Sequence, residues 1–197
     1  LTLLNQSPPD ISPTEATTGR RSALADWIAN GDNPLSTRVI TNRIWQYHFG
    51  SGIVPTPNDF GQLGEAPSHP ELLDWLTRKF IDGGWKMKDI HRLVLTSATY
   101  RQTARREPTS DESITDPLNR LLWRFPPRRL DAEQIRDAML AISGELSNKS
   151  DGPAADGSAG TRGVFMKKRR NTRDALIGGF DAPLRFASAP SRLATTS

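Results

Sequence analysis

The segment from Leu35 to Phe49 constrains the fold most, because apolar residues surround most of its helical circumference. At 100° per residue its apolar side chains point in three directions, with Leu35, Val39 and Phe49 on one face, Ile40, Ile44 and Tyr47 on a second, and Trp45 on a third. A helix with this distribution is typically buried. The sequence therefore predicts a central helix over these residues, with Asn33 as its N-cap and Gly50 as its stop.

Helical periodicity recurs on both sides of this segment. It predicts further helices over 20–30, from Ser68 to about residue 82, and over 88–101, 116–123 and 131–143. Two of them begin with a capping-box pattern, Ser68-x-x-Glu71 and Asp131-x-x-Gln134. The predicted fold class is all-α, an irregular bundle of about six helices around a buried central helix.

Composition divides the chain into four parts. Residues 1–19 carry three prolines and no periodicity, which predicts an extended arm before the helical domain of residues 20–146. Residues 147–163 are rich in Gly, Ser, Ala and Asp, a composition typical of a flexible linker. Residues 164–197 lack a strong pattern and are predicted to form an irregular tail.

Composition also excludes several classes of site. The chain of 197 residues contains no cysteine, which rules out disulfides, thiolate zinc sites and haem attachment to this chain. No apolar run approaches the ~20 residues that span a bilayer. The net charge is +4, and basic residues concentrate only at 167–173. That run is more typical of an exposed surface than of a nucleic-acid site, so nucleic-acid binding is the weakest functional alternative.

Polar residues on the central helix and in the loop after it are the candidate site. Because buried polar groups need partners, we expect the loop to supply them. The candidate binding residues are Arg38, Asn42, Arg43, Asn58 and Glu71. The catalytic candidates are Asp59, His48 and His69, since carboxylates and imidazoles are the usual acids and bases of enzymes.

Each catalytic candidate also has a structural interpretation, which the sequence favours. Asp59 is predicted to pair with Arg38 or Arg43. His48 is predicted to be a core histidine, and His69 to be part of a helix start. The three histidines of the chain lack the i,i+4 spacing of a helical zinc motif. No metal site and no cofactor are therefore predicted within this chain.

Several motifs together resemble one known family. They are NRIW at 42–45, HFG at 48–50, GIV at 52–54, TPNDFG at 56–61, PSHPELLDWL at 67–76, LTSATYRQ at 95–102, DP at 116–117, NRLLW at 119–123, RRL at 128–130 and IRDA at 135–138. This series, within residues 20–181, resembles the planctomycete-specific domain of unknown function number fifteen fifty-three.

The resemblance implies a context rather than a reaction. Domains of this family usually lie toward the C-terminus of large exported proteins, often with a cytochrome-c-type haem domain or a carbohydrate-binding-like module. It implies an extracytoplasmic parent protein whose partners are other domains of the same polypeptide, a cytochrome-type domain or polysaccharide. Any haem would lie in another domain. Domains of the family normally continue into a further segment, so residues 164–197 are expected to be a truncated part of the family domain.

Three functions follow as alternatives. The leading one is a non-catalytic helical module that serves as a structural or interaction domain. The second is a hydrolase-like or redox-accessory domain, with a cleft between the 38–48 helix and the 58–71 loop. The third is anion or nucleic-acid binding through residues 167–173. The sequence favours the non-catalytic module and leaves the question of enzyme activity open.

Overall fold

The computed structural model describes residues 11–33, 35–128, 130–147, 154–167 and 175–179. The chain divides into two compact units, Leu1–Pro126 and Pro127–Ser197. The boundary falls between two consecutive prolines and lies within the predicted helical domain of residues 20–146.

The described part of the first unit contains six helices. They are α1 (Arg20–Ala29), α2 (Ser36–Phe49), α3 (Pro70–Asp82), α4 (Met87–Thr96), α5 (Ala98–Arg101) and α6 (Ser110–Thr115). The second unit contains α7 (Ala132–Ser143), a 3-10 turn (Gly163–Phe165) and the short α8 (Ala175–Gly179). Over the described ranges, strand pairing is limited to two isolated bridges, Thr14 with Thr17 and Ala155 with Met166. The all-α prediction is confirmed.

Helix α2 lies at the centre of the first unit, as predicted. Its buried apolar residues join those of α3, α4 and the loop after α2 in one core of Ile44, Trp45, Phe49, Ile53, Val54, Leu73, Leu76, Phe80, Ile90 and Val94. Asn33 lies just before the helix, whose N-cap residue is Leu35, and its Oδ1 accepts hydrogen bonds from the N–H groups of Leu35 and Ser36. The burial is not complete, because Tyr47 is 72% exposed.

Two threonines of α2 are buried without a hydrogen-bond partner in the described part of the chain. The exposed fractions of Thr37 and Thr41 are 0% and 1%, and neither Oγ1 atom is paired. A buried hydroxyl without a partner loses its hydrogen bonds to water and gains none from the protein, which is unfavourable for folding.

We expect Thr37→Val and Thr41→Val each to raise the free energy of unfolding by about 1 kcal/mol, because valine keeps the shape and removes the unpaired hydroxyl. Urea unfolding measures the change. Thr77→Val on α3 is the matched control, since the Thr77 Oγ1 donates to the Leu73 carbonyl at 2.7 Å and its loss should not stabilise the protein. Destabilisation by both α2 substitutions would contradict the expectation.

Helix boundaries differ from the sequence predictions at three places. The predicted 88–101 helix is interrupted at Ser97, whose side chain caps α5 by accepting from the Tyr100 N–H. Residues 116–123 form turns rather than a helix, because Asn119 and Leu122 have positive φ angles of 55° and 58°. The helix lies just before them, where Thr109 and Glu112 complete the capping box of α6.

The start of α3 is also different from the prediction. The structure shows no side-chain hydrogen bond capping this helix, so the predicted capping box between Ser68 and Glu71 is wrong. Ser68 Oγ instead lies 3.3 Å from the Ile53 carbonyl and 2.9 Å from His69 Nδ1. The Ser68 hydroxyl therefore contacts the preceding loop and the neighbouring imidazole. Gln134 behaves as predicted, and its Oε1 accepts from the Asp131 N–H at the start of α7.

A buried arginine organises the second unit. The Arg136 side chain, on α7, is 5% exposed, and its guanidinium donates to the carbonyls of Gly157, Ala159 and Thr161. The neighbouring Asp137 accepts from the Gly163 N–H at 2.6 Å. Of the predicted linker, residues 147 and 154–163 are described, and the part from 157 to 163 is thus bonded to α7. The mobility of residues 147–163 stays a prediction.

No helix within the described ranges has the length and hydrophobicity needed to cross a membrane.

Candidate functional site

Asn42 joins the central helix to the loop after it. Its side chain is fully buried, with Nδ2 donating to the Val54 carbonyl at 3.0 Å and Oδ1 accepting from the Val54 N–H at 2.8 Å. The amide therefore satisfies both backbone groups of one residue. Gly52 passes so close that an added Cβ would lie 2.6 Å from Asn42 Nδ2. The loop supplies the partner that a buried asparagine needs, and Asn42 is structural.

The two candidate arginines have different partners. Arg38 forms an ion pair with Asp74 of α3, with Nη2 2.6 Å from Oδ1, and both side chains are partly exposed. Arg43 donates to the Asn58 Oδ1 at 2.7 Å and to the Pro57 carbonyl at 3.3 Å. The structure thus brings Arg43 and Asn58 together, whereas Arg38 points to another helix.

Asp59 is not the partner of Arg38 or Arg43, which bind Asp74 and Asn58, so that prediction is wrong. Its Oδ1 accepts from the Gly61 N–H at 3.1 Å, and its backbone carbonyl accepts from the Thr56 hydroxyl at 2.8 Å. This arrangement is an Asx turn, in which a short side chain replaces a backbone hydrogen bond. Asn58, one residue earlier, takes the position beside Arg43 that the sequence assigned to Asp59.

His48 contacts a histidine that sequence reasoning did not place in the site. The distance between His48 Nε2 and His91 Nδ1 of α4 is 2.8 Å, a hydrogen bond between two imidazoles. The Tyr100 ring packs edge-on against His48, with centroids 5.7 Å apart. No local pattern pairs these residues, because 43 positions separate the two histidines.

His69 lies elsewhere, beside Ser68 in the wall of a pocket of about 300 Å³. The pocket lies between the C-terminal half of α2, the loop before α3 and the 118–126 segment. Its apolar wall contains Trp45, Phe49, Pro55, Ala66, Leu118, Leu122 and Pro126, and its polar wall contains Ser51, Ser68, His69, Asn119 and Arg120. The lining takes Trp45 from the 38–48 segment and Ala66, Ser68 and His69 from the 58–71 segment, and of the candidate site residues it includes His69. The functional cleft between these segments stays a prediction.

The third wall of the pocket is a turn held by Asp116. The buried Asp116 carboxylate accepts from the backbone N–H groups of Arg120 and Leu121, both at 2.7 Å. Asn119 closes the turn through two hydrogen bonds with the backbone of Arg124. At the rim, Arg120 Nη2 lies 2.6 Å from Glu65 Oε2 of the opposite loop.

The other candidates do not lie together. Glu71 is exposed in the first turn of α3, and the described residues contain no group of three or more His, Cys, Asp or Glu side chains suited to a metal ion.

A strongly acidic carboxyl lies on α6, away from the pocket. There, hydrogen bonds from Arg106 and the Thr109 backbone lower the pKa of Glu112 to about 2. The basic run at 167–173 lies outside the described residues apart from Lys167.

Comparison with known proteins gives one match. A model of the family described as PSD1, protein of unknown function (DUF1553), matches residues 20–197. No curated protein and no solved structure matches the sequence.

Proposed function

Because this chain belongs to the DUF1553 family of proteins of unknown function, we propose that it acts as a structural and interaction module within a multidomain exported protein. Its partners on this proposal are other domains of the same polypeptide, including cytochrome-c-type or carbohydrate-related modules. The observation that carries the proposal is that the side chains of Asn42, Arg43 and Asp59 all form hydrogen bonds with neighbouring groups of the same domain.

An exposed apolar strip on α1 supports the interaction role. Leu24 and Ile28 lie one helical turn apart and are 55% and 47% exposed. The strip continues toward α2, since the Ser36 hydroxyl donates to the Ile28 carbonyl and Leu35 next to it is exposed. Adjacent apolar side chains on a surface are typical of contact sites between domains.

Hydrogen exchange tests this role in the full-length parent protein and in the chain alone. We expect the amides of α1 to exchange at least tenfold more slowly in the parent, because a docked domain suppresses local opening. Leu24→Lys with Ile28→Lys should remove the difference. Leu63→Lys is the control, since Leu63 is an exposed leucine of the 51–68 loop, outside α1. Equal exchange of α1 in the two proteins would contradict the proposal.

Hydrolytic activity is the second candidate, favoured by the distance of 2.9 Å between Ser68 Oγ and His69 Nδ1 in the pocket wall. A serine hydroxyl whose proton passes to a neighbouring imidazole can attack an ester carbonyl. Turnover of 4-nitrophenyl acetate that is lost in Ser68→Ala would establish this candidate, and turnover that persists in the variant would reject it.

A further inference from the structure

The pocket beside Trp45 has a permanently charged side chain in its wall. Arg120 lines it, and none of the described residues that line it carries a carboxylate. Apolar side chains also line it, among them Phe49 of α2 and Leu118, Leu122 and Pro126 of the same 118–126 segment as Arg120. A cavity of about 300 Å³ is at the small end of the range for ligand sites. A small molecule with an apolar body and one negative group matches this combination of apolar side chains and one guanidinium.

Arg120 is bonded through both its backbone and its side chain. Its backbone N–H donates to the Asp116 carboxylate, and its Nη2 forms an ion pair with Glu65 at the solvent-exposed rim. The other N–H groups of that guanidinium have no partner within the described part of the chain. A guanidinium has five N–H donors in one plane, and two of them match the two oxygens of a carboxylate.

Two of the three non-glycine residues with positive φ in the described part of the chain, Asn119 and Leu122, line the pocket, and the third is Trp85. For a bulky residue such as Leu122 this conformation is unfavourable and persists only when its surroundings impose it. The Gln102 side chain donates to the Leu122 carbonyl at 2.9 Å. Strain of this kind is more frequent at binding sites than in ordinary turns.

We propose that this pocket binds a small organic carboxylate, with its ring or short alkyl group against Phe49 and Leu122 and its carboxylate on Arg120. Ser68 and His69 line the same pocket from the loop before α3. This proposal requires neither docking on α1 nor turnover, and it differs in this from the ester-cleavage candidate, which uses Ser68 and His69 of the same pocket.

Thermal unfolding and ligand-observed NMR with three probes test the proposal. Benzoate and cyclohexanecarboxylate should raise the unfolding temperature in a saturable way, since a ligand that binds the native state stabilises it. Benzamide has the shape of benzoate without its charge and should have no such effect. We expect Arg120→Gln to weaken benzoate binding at least tenfold. Arg78→Gln is the control, because Arg78 pairs with Asp82 on the surface of α3.

A second variant tests the location of the site without changing Arg120. Ala66 is exposed at the pocket wall, so Ala66→Phe should block the cavity without altering the core. Loss of benzoate binding in this variant supports the location. The proposal is overturned if the carboxylates do not bind, if benzamide binds as tightly as benzoate, or if benzoate binding survives both Arg120→Gln and Ala66→Phe.

Discussion

Replacing Asn42 with alanine is expected to lower the free energy of unfolding by about 4 kcal/mol, because it leaves two buried backbone groups unpaired. The Val54 N–H and carbonyl both depend on this one side chain. Val54 and its neighbour Ile53 belong to the core, so water cannot replace the lost amide without opening the loop. Urea unfolding monitored by tryptophan fluorescence measures the change.

A comparison with Asn58→Ala separates this effect from the general cost of losing an asparagine. Asn58 is exposed, and its side chain accepts one hydrogen bond, from Arg43, within the described residues. Its replacement should cost about 1 kcal/mol or less, as for other solvent-accessible polar contacts. If the two variants lost equal stability, the double hydrogen bond to Val54 would not be what fixes the loop.

Replacing Arg136 with methionine should destabilise the second unit by about 3 kcal/mol, since three carbonyl groups lose a charged donor while the apolar stem is kept. Hydrogen exchange measures the loss of stability at individual amides. Amides near the bonded carbonyls, in 157–163, should lose their protection. The amides of α2 and α3 should exchange as in the unaltered protein.

Arg162→Met provides the control for charge. Arg162 is the exposed neighbour of the same loop, and its Nε lies 3.6 Å from Asp137. Exposed ion pairs contribute ~0–1 kcal/mol, so this variant should retain protection in 157–163. Equal loss of protection in both variants would mean that net charge, and not the buried guanidinium, holds the loop.

Local sequence signals predicted those helix ends that are determined by residues next to them in the chain. Asn33 and Pro34 marked the start of the central helix, and Gly144 marked the end of α7, where its φ angle is positive. The Thr109-x-x-Glu112 pattern also marks a helix start. The sequence interpretation passed over it, although the signal was present in the chain.

The partners of charged residues were not predictable in the same way. Asp59 and Asn58 are adjacent, and only the path of the loop decides which of them faces Arg43. The 116–126 turn presented a similar difficulty, because its form depends on the Asp116 carboxylate folding back onto Arg120 and Leu121. His91 could not be assigned to His48 from sequence, since the two meet only when α2 and α4 pack together.

The hydrogen bond between His48 and His91 couples the proton positions of two rings. If His48 Nε2 donates, His91 Nδ1 is bare and His91 carries its proton on Nε2. If His91 Nδ1 donates, His48 carries its own proton on Nδ1. The two neutral rings therefore always share the same tautomer. Exchange between the two arrangements moves the shared proton from one ring to the other, and it requires one outer nitrogen to release a proton to solvent while the other outer nitrogen takes one up.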